Sequence, residues 1–207
     1  MNNDIEKLTE YFSKFPGIGS RQAKRFAYFL LARDKNFIKE LSSLILRVKD
    51  NTAQCASCCR FYSFGTGIQN TLCDICQNPN IDKSILMVVE KDVDLENIIK
   101  TGTYAGSFFV LGGSVPILDK NPSEKVRAKE LFNKVQDAAK NELKEVILAL
   151  SVNPEGENTV LYLSKILEPL AEKFSLKIST LGRGLSTGTE LEYSDSDTLK
   201  NALKNRN

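Results

Sequence analysis

Apolar positions recur along this chain with two periods, and the change from one to the other divides it. Over the first fifty residues the period is helical. Leu8, Tyr11, Phe12 and Phe15 form one stripe, and Ala23, Phe26, Ala27, Phe29 and Leu30 form a second after a break. This spacing predicts two amphipathic helices around a hairpin. A third helix is expected over 37–48, with Phe37, Ile38, Leu41, Leu44, Ile45 and Val48 as its buried side. Beyond residue 81 the pattern becomes short continuous apolar runs at 85–89, 108–111, 146–150 and 176–178, separated by helical stretches over 93–100, 125–141 and 159–174. Such runs suit strands buried on both faces, and their alternation with helices predicts an α/β fold with a mostly parallel sheet. The stretch 181–193 is glycine-rich but lacks the Gly-Lys-Ser/Thr of a phosphate loop. It is read as a turn-rich return to the sheet, closed by a helix over 195–203.

Composition narrows the class without naming it. With 207 residues, 42% hydrophobic and 26% charged, the chain can bury one sizeable core. No 18 apolar residues run together and the first residues carry acids rather than an apolar leader, so a cytoplasmic protein is expected. The net charge is only +2, yet its distribution is uneven. Residues 1–50 hold ten Lys/Arg against six Asp/Glu, which concentrates basic character ahead of the cysteines.

Four of the five cysteines form two C-x2-C pairs, Cys55 with Cys58 and Cys73 with Cys76. Each pair makes a tight turn that points both sulfurs inward, so four thiolates can converge on one zinc ion as a closed structural site. Cys59 is the spare by spacing, with a slipped pairing of Cys55 and Cys59 as its alternative. Disulfides and redox thiols are the competing readings of the cluster. There is no histidine, so a mixed Cys/His site is ruled out. The span between the pairs, Arg60-Phe61-Tyr62-Ser63-Phe64-Gly65-Thr66-Gly67, is read as a short ribbon or loop whose aromatics supply core, with stacking on nucleic-acid bases as the alternative.

The break between the first two helices reads Phe15-Pro16-Gly17-Ile18-Gly19-Ser20. Proline stops one helix, the glycines allow a tight turn, and Ser20 is positioned to cap the next. This resembles the helix-hairpin-helix motif, in which backbone N–H groups face a nucleic-acid phosphate. The chemistry agrees: Gly17 and Gly19 permit close approach, the helix N-terminus offers free donors, and Arg21 and Arg25 lie one turn apart with Lys24 beside them. The bland alternative is an αα-hairpin with a solvated basic face.

Carboxylates collect where strands are expected to end. Glu90 follows the first apolar run, and Glu155 and Glu157 stand in Asn153-Pro154-Glu155-Gly156-Glu157 after a later one. This arrangement resembles the Toprim domain, where such acids hold Mg2+ for phosphoryl transfer, although the pair here is E-x-E rather than D-x-D. Three readings stand: Mg2+ catalysis, an acidic protein-binding surface, and stabilisation of the following helix N-terminus.

Taken in order, the hairpin, the four cysteines, the Toprim-like region and the tail Gly182-Arg183-Gly184-Leu185 … Gly188-Thr189-Glu190-Leu191-Glu192-Tyr193 resemble the RecR family of bacterial recombination mediators over nearly the whole chain. The resemblance implies four parts: a helix-hairpin-helix unit at 1–53, a four-cysteine zinc finger at 54–80, a Toprim domain at 81–180 and a C-terminal tail at 181–207 that packs on Toprim or a neighbouring subunit. It further implies a non-enzymatic, ring-shaped DNA clamp, a homotetramer acting with RecO, and in some bacteria RecF, to help RecA replace single-strand-binding protein at gaps. Arg21 and Arg25 match the family's DNA-contacting pair. Cys55, Cys58, Cys73 and Cys76 match its zinc ligands, and Glu90, Glu155 and Glu157 match acids that would face RecO. An Mg2+-dependent Toprim nuclease or primase is the alternative. The chain departs from the family pattern in carrying Cys59, Gly112-Gly113 where a His-Gly is expected, and Ser151-Val152-Asn153 ahead of Pro154.

Overall fold

A computed structural model describes residues 3–64, 71–118, 125–182, 185, 188, 190–194 and 196–204. The chain divides into two compact units, residues 1–52 with 63–67, and residues 53–62 with 68–207.

The first unit is helical. Helix α1 (Asp4–Ser13) is capped by the Asn3 side chain, and α3 (Lys35–Asp50) by the Asp34 side chain on the Asn36 and Phe37 N–H groups. Between them α2 (Ser20–Leu31) packs on α1 through the fully buried Ala23 and Ala27, small residues that let the two helices approach. Phe12 meets Phe15 and Phe26 edge-on at 5.8 Å. Two expectations are corrected here. Ser20 does not cap α2: it already lies inside the helix, and Gly19, extended at φ −78° and ψ 167°, is the cap residue with no side-chain hydrogen bond. The apolar side of α3 is not buried either, since Phe37, Ile38, Leu44, Ile45 and Val48 are exposed. Helical period reports that a face is apolar, and one chain supplies too few elements to cover this one.

The second unit holds the sheet. A two-stranded ribbon, β1 (Thr52–Gln54) and β2 (Phe61–Ser63), marks the division between the units. Tyr62 on it is buried, as expected of an aromatic serving as core, but Phe61 is exposed, against that expectation; residues 65–67 of the predicted loop lie outside the described residues. After the short helix α4 (Asp74–Gln77) come β3 (Asp82–Val89), α5 (Asp92–Thr101), β4 (Gly106–Val110), α6 (Ala128–Ala139), β5 (Glu145–Ala149), α7 (Pro154–Phe174), β6 (Lys177–Thr180) and α8 (Ser196–Lys204). The four long strands pair in parallel in the order β4-β3-β5-β6. Alternate residues of β3 explain its unbroken apolar run. Leu86 and Val88 join Leu131 of α6 and Leu163 and Leu167 of α7 on one face, while Met87 and Val89 join Leu95 of α5 on the other.

Two helices differ in extent from expectation. Helix α7 begins at Pro154 rather than at 159, because proline is preorganised for a first helical position and the Asn153 side chain accepts the Gly156 N–H at 2.7 Å. Helix α6 is shorter at both ends than 125–141. The glycine-rich return falls partly outside the described residues. Among the described residues no helix is long and apolar enough to cross a membrane.

Candidate functional site

The hairpin between α1 and α2 turns on Gly17, whose φ of +74° is a left-handed conformation that side-chain-bearing residues adopt at a cost. No atom lies within 4 Å of where a Cβ would stand at Gly17 or Gly19, so both face open space. The N-terminus of α2 therefore ends in uncapped N–H groups, with no acidic residue in its first turn. Arg21, Lys24 and Arg25 are all exposed on the turn that follows, and none is in an ion pair among the described residues.

Cys55, Cys58, Cys73 and Cys76 come together in the second unit, their sulfurs all within 4.8 Å of one another. Cys58 and Cys73 lie 3.6 Å apart, and the Cys73 N–H donates to the Cys55 sulfur at 3.4 Å. A tetrahedron of metal–sulfur bonds of about 2.3 Å has corners about 3.8 Å apart, so the donor set fits zinc. Hydrogen bonding with Cys58 holds the Cys73 thiol far below the ordinary range, and the same contact pushes Cys58 up. Four such groups cannot all ionise in an apolar setting without a cation to balance them. Cys59 is excluded from the set. It adopts a left-handed φ of 61°, and its side chain turns away to pack against the sheet's core, where burial pushes its thiol up.

At the C-terminal end of the sheet Glu90 directly follows β3 and is only 5% exposed. Both of its oxygens are occupied. Lys91 Nζ lies 2.8 Å from Oε1, and Ser151 Oγ donates to Oε2 at 2.7 Å. Burial pushes the Glu90 carboxyl up, but these two bonds outweigh it and leave the group below its ordinary value. Lys91 is raised in turn by the same pair. Its position is costly by itself, because it caps the N-terminus of α5, where the helix dipole repels a cation; the Glu90 carboxylate and Asp94, which accepts the Lys91 N–H at 2.9 Å, offset that.

Glu155 and Glu157 fall in the first turn of α7, two residues apart on a helix, and so face different ways. Glu155 accepts from Ser114 Oγ at 3.3 Å, while Glu157 lines a cleft of about 630 Å³ beside β5 and β6 with Val160, Leu161 and Thr180. Thr159, fully buried, ties this turn to the loop after β4 by accepting the Val115 N–H at 2.8 Å. Gly112 has a φ of +93°, and a Cβ there would come within 2.7 Å of the Arg127 guanidinium. That guanidinium donates to the Val110 carbonyl at 3.0 Å. Sequence reasoning missed Lys91, Ser114, Ser151 and Arg127. Only Lys91 left a trace, as a base beside the strand-end acid.

Known proteins resemble this chain along nearly its whole length. Residues 5–49 match the family model described as "RecR, helix-hairpin-helix", residues 84–181 the "Toprim domain" and residues 184–207 "RecR, C-terminal". Among similar proteins, the "Recombination protein RecR" of Lactobacillus acidophilus is 36% identical over 202 residues, covering 98% of this chain and 96% of that protein. Its counterpart from Lactobacillus helveticus is 35% identical with the same coverage. The one from Chloroherpeton thalassium is 36% identical over 203 residues, covering 98% of this chain and 95% of its own length.

Proposed function

Because the chain belongs to the RecR family of recombination proteins, we propose that it is a non-enzymatic DNA clamp in recombinational repair, acting with RecO, and in some bacteria also RecF, to promote RecA loading at single-stranded gaps. The observation that carries this reading is the bare N-terminus of α2. Helices α1 and α3 each have a capping side chain, whereas α2 begins at Gly19 without one and carries Arg21, Lys24 and Arg25 in its first two turns. Unfilled donors, the positive end of a dipole and open glycines suit a phosphate, and nothing there would read a base.

One such hairpin makes few phosphate contacts and would bind weakly and with strong salt dependence. A ring of chains, a homotetramer in this reading, multiplies the contact and retains DNA by encirclement. The exposed apolar face of α3 supports self-association, since Phe37, Ile38, Leu44, Ile45 and Val48 would be covered by it. The cysteine cluster holds one structural zinc, whose preference for a closed sulfur shell matches the donor set. In this reading the acidic end of the sheet faces RecO, with Glu155 and Glu157 exposed there and the buried Glu90 supporting it from beneath. Against the Mg2+-dependent nuclease or primase stands the Lys91 ammonium, 2.8 Å from Glu90 Oε1, whose positive charge opposes a divalent cation at that carboxylate.

The test is Arg21→Ala with Arg25→Ala, measured for DNA binding across a salt series alongside zinc content. Binding should fall sharply and the slope of log affinity against log salt should flatten by about 0.9 for each duplex phosphate no longer neutralised, with zinc unchanged. A folded double variant that binds like the parent would remove the assignment, and Mg2+-dependent strand cleavage by the parent would favour the enzyme instead.

A further inference from the structure

The loop that carries the first cysteine pair is fastened to the sheet by a few polar ties. The Cys58 carbonyl accepts the Val110 N–H at 2.8 Å, which places Cys58 on the outer edge of β4. The Phe61 N–H donates to Asp92 Oδ1 at 2.8 Å. Lys134 Nζ reaches across from α6 to the Ser57 carbonyl at 3.0 Å and the Ser57 hydroxyl at 2.8 Å. Cys55, Cys58 and Tyr62 of this stretch are buried, and Cys59 packs against the sheet's core. An open cavity of about 840 Å³ separates Ser57 on the loop from Glu130 and Asn133 on α6.

The same ties lead to the acidic end of the sheet. Asp92 opens α5 two residues after Glu90. Val110 closes β4, and two residues on the Gly112 N–H donates to the Glu90 carbonyl at 2.9 Å. The loop is already turned on itself by the β1–β2 ribbon and by the Cys55 N–H to the Arg60 carbonyl at 2.9 Å and the Cys59 N–H to the Cys55 carbonyl at 3.0 Å, and a further closure across both cysteine pairs would tighten it. Four sulfurs on one metal ion do that, and the ordering they impose at Ser57, Cys58 and Phe61 is the ordering the three ties require.

We propose that the metal centre and the acidic strand end form one cooperative unit, with Asp92 and Lys134 as positioning residues for the cysteine loop. Metal binding secures the ties to α5, β4 and α6, and by thermodynamic reciprocity the ties raise the affinity for metal by the same factor. The metal thereby governs the backbone that presents Glu90, although it touches none of those residues.

Zinc affinity of the full chain, measured by competition with a chromophoric chelator, tests this. Asp92→Ala should bind zinc about three- to tenfold more weakly, the share of one missing hydrogen bond, and Lys134→Ala, which loses two, should weaken it at least as much. Asp92→Asn, which keeps the accepting oxygen, should bind as the parent does, and so should Glu172→Gln on the exposed side of α7. Hydrogen exchange on the unmutated protein provides a second reading: stripping zinc should speed exchange at the Phe61 and Val110 amides while those of Leu163 and Leu167 stay protected. Parental affinity in both alanine variants, or exchange at Phe61 and Val110 that ignores zinc, overturns the coupling. The inference rests on the zinc reading of the cysteines, and that reading fails separately if the unmutated chain binds no zinc.

Discussion

Thr159→Val probes the acidic end of the sheet without touching a carboxylate. Thr159 is fully buried, accepts the Val115 N–H at 2.8 Å and donates to the Glu155 carbonyl at 2.6 Å. Valine nearly matches its shape, so no cavity opens, and the Glu155 carbonyl keeps its place in the helix ladder. The Val115 N–H loses its acceptor in a residue only 2% exposed. An unsatisfied buried donor costs about 1–3 kcal/mol, and the added methyl returns about 0.8 kcal/mol. The net loss is roughly 0.2–2 kcal/mol, read from the urea midpoint at unchanged slope. Because Val115 follows Ser114, the hydroxyl partner of Glu155, the change also loosens the acidic surface. Amide exchange locates the effect: the Val115 N–H should exchange faster in Thr159→Val and at the parental rate in Thr159→Ser, which keeps the oxygen. A valine variant of parental stability with Val115 still protected would show that the amide has another acceptor and refute this reasoning.

Three further outcomes are expected. Gly156→Ala drives a Cβ into the backbone carbonyl of Ser151, which cannot yield as a side-chain tip can. It should cost about 1–3 kcal/mol or more in chemical denaturation and displace the Ser151 hydroxyl from Glu90. Glu90 has a folded-state pKa held below its ordinary value of 4.5, so its stabilisation is complete above that pH and is lost as pH falls through the folded value. Glu90→Gln should remove that part of the acid sensitivity, leaving the share from Glu145, lowered by its bonds to Ser179 and Lys177; acid unfolding curves that superimpose would contradict this. Cys59→Ala should keep the parental zinc stoichiometry, whereas Cys58→Ala should lose it, as measured by elemental analysis of purified protein.

Much of this molecule is readable in the chain because the relevant physics is local. Hydrophobic period depends on neighbours within a turn or a pleat, so the helices around Pro16 and the strands of the parallel sheet appear at close to their observed places. The two C-x2-C spacings state a metal-ligand geometry by themselves, and the glycines of the hairpin announce a tight turn. Periodicity also marked the face of α3 as apolar, but a sequence cannot say whether its own chain covers that face. Here it does not.

What the tertiary structure decided are the pairings across long stretches of chain. Ser151 meets Glu90 from 61 residues away, and Lys134 holds Ser57 from 77 residues away. Neither pairing leaves a spacing to recognise, because loop closure over such distances is directed by the packing of the whole sheet rather than by any motif. The same holds for Cys59. Spacing made it the odd thiol, while the left-handed turn after Cys58 is what points it into the core and out of the metal's reach. The sequence alone determined which chemical groups are present and on which elements they ride. Only folding decided which of them meet, because burial beside a partner, and not residue type, sets whether a carboxylate stands open to a cation or is already satisfied.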